Sequence, residues 1–375
     1  MTFSSKKRGR ILDYSKKNVK FGLLLKIWVF PETEDTMRIN NQIVLDRDTE
    51  CAVIGYGSWA TAIVKVLCEN ENTVHWNIRN PDIIESVTKY GYNCKYVRDA
   101  ELDRSRLHVS PDINEVIEKA GIVFLAMPSA FIKIFLEDLQ VSLDDKFIVS
   151  AIKGIVQGDY KTPTEYMHDK YIIPFKRMGV ITGPTHAEEV SARKLSYLTI
   201  VCSDDRNGEI IGKKLSTPYM HLTFSDDIYG AEYASILKNI YAIAVGISVG
   251  LGYGDNFRAV LISNCSREMR EFLNVSYPYT RDTNISAYLG DLLVTCYSTL
   301  SRNRRLGLLI GKGCSVKSAL NEMTMIAEGY FASDCIRHIN LRHKAFMPIA
   351  DTVHDILYNG KSARKAMASL EKYLE

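Results

Sequence analysis

The chain has no C-x-x-C pair among its eight cysteines, at 51, 68, 94, 202, 265, 296, 314 and 335, and no paired histidine spacing to go with them. That excludes a structural zinc site, so no metal is expected, and scattered single thiols fit a reducing, cytosolic compartment. Long apolar runs are also missing. The longest near the start, Phe21 to Phe30, is about ten residues and contains Lys26, whereas a membrane span needs roughly twenty. Pro31 and Glu32 follow it with no small-residue cleavage pattern, so neither a transmembrane helix nor a secretory signal is expected. No repeat occurs at the periods that mark solenoids. Excess charge is confined to one place. Residues 1–30 carry eight Lys or Arg against the single Asp13, a net +7, so a chain of +3 overall leaves −4 on the remainder. A mildly acidic body is no general nucleic-acid binder.

What is present is enough for two packed domains: 375 residues, 46% hydrophobic and 24% charged. Residues 1–46 read as a basic, disordered extension: a flexible arm, a weak surface-binding segment that could dock on anionic lipid, or upstream translation ahead of a natural start at Met37. From Cys51 to Ser225, β-rich runs alternate with helix-like segments. The strand candidates are 51–54, 74–78, 122–127, 147–151, 180–182 and 198–201. This alternation predicts an α/β fold, a doubly wound parallel sheet of the Rossmann type over residues 47–230. Apolar-periodic stretches at 232–248, 255–273 and 316–328 predict an all-α domain over 231–375.

The first strand candidate runs into Gly55-Tyr56-Gly57-Ser58-Trp59-Ala60 and then a helix-like 61–68. Strand, glycine turn and helix, in that order, are the context a dinucleotide-binding turn requires. Gly55 permits the turn, Gly57 lets backbone approach a pyrophosphate, and Ala60 lets the helix pack closely. A tight connection with no ligand is the alternative. Arg79 ends the second strand candidate, where an acid would select NAD, so use of NADP alongside NAD is expected.

Lys238 and Asn239 lie in an apolar helix, and a lysine there needs a partner. Asp291, after Gly290, can supply one, and a positioned ammonium can protonate an alkoxide. A snorkelling lysine is the alternative. Lys153 and the segment Gly183-Pro184-Thr185-His186-Ala187 follow strand ends, where ligands collect. His186 is a weaker candidate for a general acid. Ser301-Arg302-Asn303-Arg304-Arg305 offers guanidinium forks suited to a phosphate.

Taken in order, GYGSWATA (55–62), AIKG (151–154), GPTHAEEV (183–190), LKNIYAIAVGISVGLGYGDN (237–256), LGDLLVTC (289–296), SRNRRLG (301–307) and EGY (328–330) resemble the bacterial-type NAD(P)-dependent glycerol-3-phosphate dehydrogenases over about residues 50–370. The resemblance implies a C-terminal domain like that of 6-phosphogluconate dehydrogenase and a homodimer. It also implies reversible, NAD(P)H-dependent reduction of dihydroxyacetone phosphate to sn-glycerol 3-phosphate in the cytoplasm, for glycerophospholipid synthesis. By the same likeness Gly55, Gly57, Ser58, Trp59, Arg79, Lys153, Ala187, Arg302 and Glu328 would contact the cofactor. Lys238 would donate and accept the proton, with Asp291 and Lys153 completing the catalytic group. Lys153, Gly183, Thr185, Lys238, Asn239, Asp291, Ser301, Arg302 and Asn303 would hold the substrate.

The chain departs from that pattern in having Ala60 as the third small residue of the turn, Asn77 where a tryptophan is usual with Trp76 one place earlier, and His186 where a Phe is usual. The stretch 272–288 is poor in glycine and alanine, which leaves its packing open. A related dehydrogenase of another phosphorylated or hydroxy-acid substrate, and a dinucleotide-sensing protein without turnover, remain alternatives.

Overall fold

The computed structural model describes residues 43–375, apart from 71 and 324. The expectations for the basic extension, Met37 included, fall outside the described residues except at its end. There Leu45 is buried in the core, and its backbone N–H donates to the Asn207 side chain at 3.0 Å. The packed body therefore begins ahead of residue 47.

Eight strands form one sheet: β1 Cys51–Ile54, β2 Val74–Asn77, β3 Leu107–Ser110, β4 Ile122–Leu125, β5 Phe147–Ser150, β6 Met178–Thr182, β7 Ser196–Cys202 and β8 Met220–Ser225, in the order β3-β2-β1-β4-β5-β6-β7-β8. β1, β4, β5 and β6 are buried at every position. Their apolar runs suit strands covered on both faces. Along β1, Cys51 and Val53 enter one apolar cluster while Ala52 and Ile54 enter the other. The expected parallel, doubly wound sheet is found, with one antiparallel pair in it. β6 and β7 are antiparallel, with Val180 opposite Val201. β3 and β8 exceed the six strands expected, because both are edge strands with little buried apolar surface to signal them.

The chain moves outward through β1, β2 and β3, then returns to place β4 beside β1. This reversal opens a crevice at the carboxyl ends of β1 and β4, where open α/β sheets take ligands. β5 and β6 run parallel to β4, so the segments after them reach the same edge. The helices that build this edge are α1 Ser58–Glu69 and α2 Ala187–Ser191.

From Ile228 onward the described elements are helical, and those that matter here are α3 Ile228–Gly250, α4 Asp255–Ser276, α5 Asp291–Tyr297, α6 Arg302–Gly311, α7 Val316–Glu322 and α8 Glu328–His343. α3 is long and apolar enough to cross a bilayer, yet it is buried inside the fold. It is the central helix of its half, apolar on all sides because it is surrounded. α6 crosses it at glycines: a Cβ at Gly246 would lie 2.8 Å from the Leu308 nitrogen, and one at Gly307 would lie 2.9 Å from the Ile247 nitrogen and closer still to the Ile243 carbonyl oxygen. The crossing brings the start of α6 against Asn239.

The single helix expected over 316–328 is corrected to two. Met323 is extended after α7, and α8 starts afresh at Glu328. Tertiary contacts outweigh the local period here, because the first-turn N–H of Gly329 donates to the Asn303 side chain at 2.9 Å. The glycine-poor stretch packs through aromatic and ionic groups. Phe272 is buried, and Asp227 receives Arg281 Nε at 2.7 Å and the Tyr288 hydroxyl at 2.5 Å.

Candidate active site

β1 leads into Gly55 at φ +114°, where a Cβ would stand 2.6 Å from the Ala126 carbonyl oxygen beyond β4. Only glycine fits that conformation and that approach. Gly57 precedes α1 without a side-chain cap, and a Cβ there would meet nothing within 4 Å. The first N–H groups of α1, from Ser58 and Trp59 onward, thus face open space at the positive end of the helix dipole, which suits a pyrophosphate. Trp76 accounts for its own displacement: its indole N–H donates to the Gly55 carbonyl at 2.7 Å and so holds the turn. Trp59 Nε1 and Asn77 Oδ1 are buried and have no partner in the protein. Two orphaned polar atoms beside an open glycine turn fit a bound dinucleotide. Arg79 is held at the end of β2 by the carbonyls of Ile134 and Phe135, at 3.0 and 2.9 Å, and by Asp138 at 3.3 Å.

Lys238 on α3 is 4% exposed and forms an ion pair with Asp291, itself 1% exposed, so the snorkelling alternative falls. The other carboxylate oxygen of Asp291 takes Lys153 Nζ at 3.3 Å and the Thr182 hydroxyl at 3.4 Å. Lys153 also donates to the Gly183 carbonyl at 3.1 Å. Three segments from both halves of the fold thus converge on one carboxylate. Asp291 follows a π-helical turn, Ser286–Gly290, in which the Gly290 N–H reaches back five residues to the Ile285 carbonyl at 3.5 Å. Such wide turns are frequent at functional sites.

The Lys238 ammonium is lowered to about 7, chiefly by burial and also by the Lys153 charge, with Asp291 opposing both. Burial would raise Asp291, but the two ammoniums outweigh it and hold the carboxyl below its ordinary range. Near neutrality Lys238 can therefore exist as donor or acceptor while Asp291 stays charged.

Ser301 caps α6, its hydroxyl accepting from the Arg304 N–H at 3.3 Å, and Arg302 is exposed on the first turn. Asn303 is turned inward. Its amide nitrogen donates to Asn239 Oδ1 at 2.9 Å, while Asn239 donates to the Lys153 carbonyl at 2.9 Å. Both asparagines expected at the substrate thus also brace Lys153 against α6 and α8. Glu328, half-buried at the start of α8, accepts the Ser129 N–H at 2.9 Å and its hydroxyl at 2.5 Å. Burial raises the Glu328 carboxyl, opposed by the Ser129 bonds and the Arg302 charge. Gly154 packs against both partners, a Cβ there falling 2.7 Å from Ser129 Cβ, so the bracing returns to Lys153. Sequence reasoning misses Ser129, although its place just after β4, at the ligand-bearing end of a strand, was an available signal. Ala187, at the start of α2, is buried, and the Thr185 hydroxyl donates to the Gly183 carbonyl at 3.2 Å. His186 Nε2 is buried without a partner in the protein.

Two family profiles account for most of the chain: NAD-dependent glycerol-3-phosphate dehydrogenase N-terminus over residues 50–208 and NAD-dependent glycerol-3-phosphate dehydrogenase C-terminus over 227–368. A protein of Exiguobacterium named glycerol-3-phosphate dehydrogenase [NAD(P)+] is 34% identical over 323 residues, 85% of this chain and 94% of that one. One of the same name from Staphylococcus carnosus is 32% identical over 315 residues, 83% of this chain and 94% of its own. Among solved structures, glycerol-3-phosphate dehydrogenase from Coxiella burnetii superposes with a TM-score of 0.79 at 28% identity, covering 87% of this chain and 99% of that one. With its glycine turn, paired lysines and two-part architecture, the chain belongs to the NAD-dependent glycerol-3-phosphate dehydrogenase family.

Proposed function

We propose that this protein catalyses the reversible NAD(P)H-dependent reduction of dihydroxyacetone phosphate to sn-glycerol 3-phosphate. The observation that carries the reading is the buried Lys238–Asp291–Lys153 group, reached from the carboxyl edge of the sheet on one side and the start of α6 on the other. Gly55, Gly57, Ser58, Trp59, Arg79, Ala187, Arg302 and Glu328 would hold the dinucleotide, whose nicotinamide would supply or take the hydride. The rest falls to the chain. The Ser301 hydroxyl and the Arg302 guanidinium, at the positive end of α6, grip the phosphate. Gly183, Thr185, Asn239 and Asn303 line and brace the pocket. Lys238 gives its proton to the C2 oxygen during reduction and recovers it during oxidation, while Asp291 aims the ammonium and Lys153 steadies the same oxygen.

The test is consumption of NADH and of NADPH with dihydroxyacetone phosphate, beside 6-phosphogluconate and hydroxy acids. Turnover confined to dihydroxyacetone phosphate is expected. Turnover of another substrate, or cofactor binding with no turnover, would replace this reading with a related dehydrogenase or a dinucleotide sensor.

The same reading extends to a cytoplasmic homodimer feeding glycerophospholipid synthesis, built from a dinucleotide domain ending near residue 230 and a helical domain after it. Eight free cysteines suit a reducing compartment, and light scattering tests the dimer. The basic residues 1–30 would add weak attachment to anionic lipid. Equal sedimentation with anionic liposomes of the full chain and one starting at Met37 would exclude that attachment.

A further inference from the structure

Arg79 stands just past β2, the position from which an acid would hold a ribose 2′-hydroxyl and an arginine would take a 2′-phosphate. By itself it argues for NADPH. In the folded chain, however, its fork is already occupied. Nη1 donates to the Ile134 carbonyl at 3.0 Å, and Nη2 donates to the Phe135 carbonyl at 2.9 Å and to Asp138 Oδ2 at 3.3 Å. The guanidinium thus reaches from the end of β2 to the helical turn Ile132–Phe135 and the residues that follow it, in the connection after β4. It also lies over the Phe135 ring, 5.2 Å from the centroid, and that ring packs against Tyr56 of the glycine turn at 5.7 Å. Its orientation is fixed from three sides.

Asp138 is anchored through its backbone. Its carbonyl accepts from Asn114 Nδ2 at 2.9 Å, and Asn114 Oδ1 accepts the Gln140 and Val141 N–H groups at 2.7 and 3.1 Å. The carboxylate itself is 74% exposed and so open to a ligand. Lys95, whose ammonium comes within 3.4 Å of Asn80 Oδ1 next to Arg79, is paired in the same way, with Asp82 at 2.8 Å. Each of these two cations carries a carboxylate partner, and the two pairs are neutral where a 2′-phosphate needs net positive charge.

Building on the dinucleotide and reductase readings, we infer that Asp138 selects the cofactor: it supplies, from the connection after β4, the acid that β2 lacks, and the protein prefers NADH to NADPH. A ribose 2′-hydroxyl can donate to a carboxylate. A 2′-phosphate, with about two negative charges, is repelled by it and has to break the Asp138–Arg79 pair to reach the guanidinium. Without the carboxylate, Arg79 stays held by the two carbonyls and its charge is available to the phosphate.

The test is binding in the absence of substrate, NADH and NADPH being titrated by fluorescence into the full chain. Wild type should bind NADH about tenfold more tightly than NADPH, and added salt should narrow the gap by screening the repulsion. In Asp138→Asn, NADPH should tighten about five- to tenfold while NADH gains nothing. Adding Arg79→Ala to that variant should cancel the gain. Damage to the fold would weaken both cofactors alike and leave their ratio in place, so the ratio reads selection alone. Equal affinities or a preference for NADPH in wild type overturns the inference, as does NADPH affinity that ignores Asp138 or a gain that survives the loss of Arg79. A wild type that binds neither cofactor sinks the dinucleotide reading and this inference with it. One that binds both yet leaves dihydroxyacetone phosphate unreduced sinks the reductase reading, and the titrations still decide the role of Asp138.

Discussion

The two halves of the site are made from different materials. On the reading proposed above the sheet half would bind with backbone, so its specification lies in what is missing: no side chain at Gly55, none at Gly57, a small one at Ala60. The helical half works with side-chain charges, and its specification lies in burial, which turns an ordinary lysine into a group that titrates near 7. A backbone site fails by collision and a charged site fails by loss of a partner. The two should therefore break in distinguishable ways, in stability for the first and in turnover for the second.

The largest effect expected is that of Lys238→Met. It should lower kcat by roughly 10²- to 10⁴-fold, the usual worth of a positioned acid–base group. Cofactor affinity, measured by fluorescence titration, should remain, and loss of both together would undo the division between the halves. Next comes Gly307→Ala, which drives a methyl group into the Ile243 carbonyl. It should cost about 1–3 kcal/mol by overpacking, read as a lowered Tm.

pH sharpens the comparison further. Reduction needs the Lys238 ammonium, so its rate should fall as pH rises through about 7, while oxidation, which needs the amine, should climb over the same range. Asp291→Asn removes the charge that holds the lysine up and should move both limbs toward acid. Limbs that stay in place would separate Asp291 from the titration. The smallest effect is that of Ser301→Ala. Loss of a helix cap costs about 1 kcal/mol, and the missing phosphate contact should raise KM for dihydroxyacetone phosphate several-fold with kcat nearly unchanged.

The sequence makes the backbone site easy to read. Short apolar runs mark β1, β4, β5 and β6, and a glycine turn directly after a strand says both where it is and what it can hold. The edge strands β3 and β8 escape because burial on one side or less leaves no run to find. The lysine pair is half legible: Lys238 stands out among apolar neighbours, but that Lys153 and Asp291 meet it depends on packing between segments more than 50 residues apart in each case. The Asn239–Asn303–Gly329 bracing, the Ser129–Glu328 contact and the break between α7 and α8 are tertiary in origin, and no local period announces them.

The wide turn at Ser286–Gly290 sets an angle. Each α-helical residue advances about 100° around the axis, so an extra residue in one turn offsets everything after it relative to everything before. Tyr288 thereby points to Asp227 while Asp291, three residues on, points to the lysines. Removing one residue from that turn would make a more regular helix with shorter hydrogen bonds. It would also rotate the tyrosine and the aspartate out of phase with each other, so that only one of them could reach its partner.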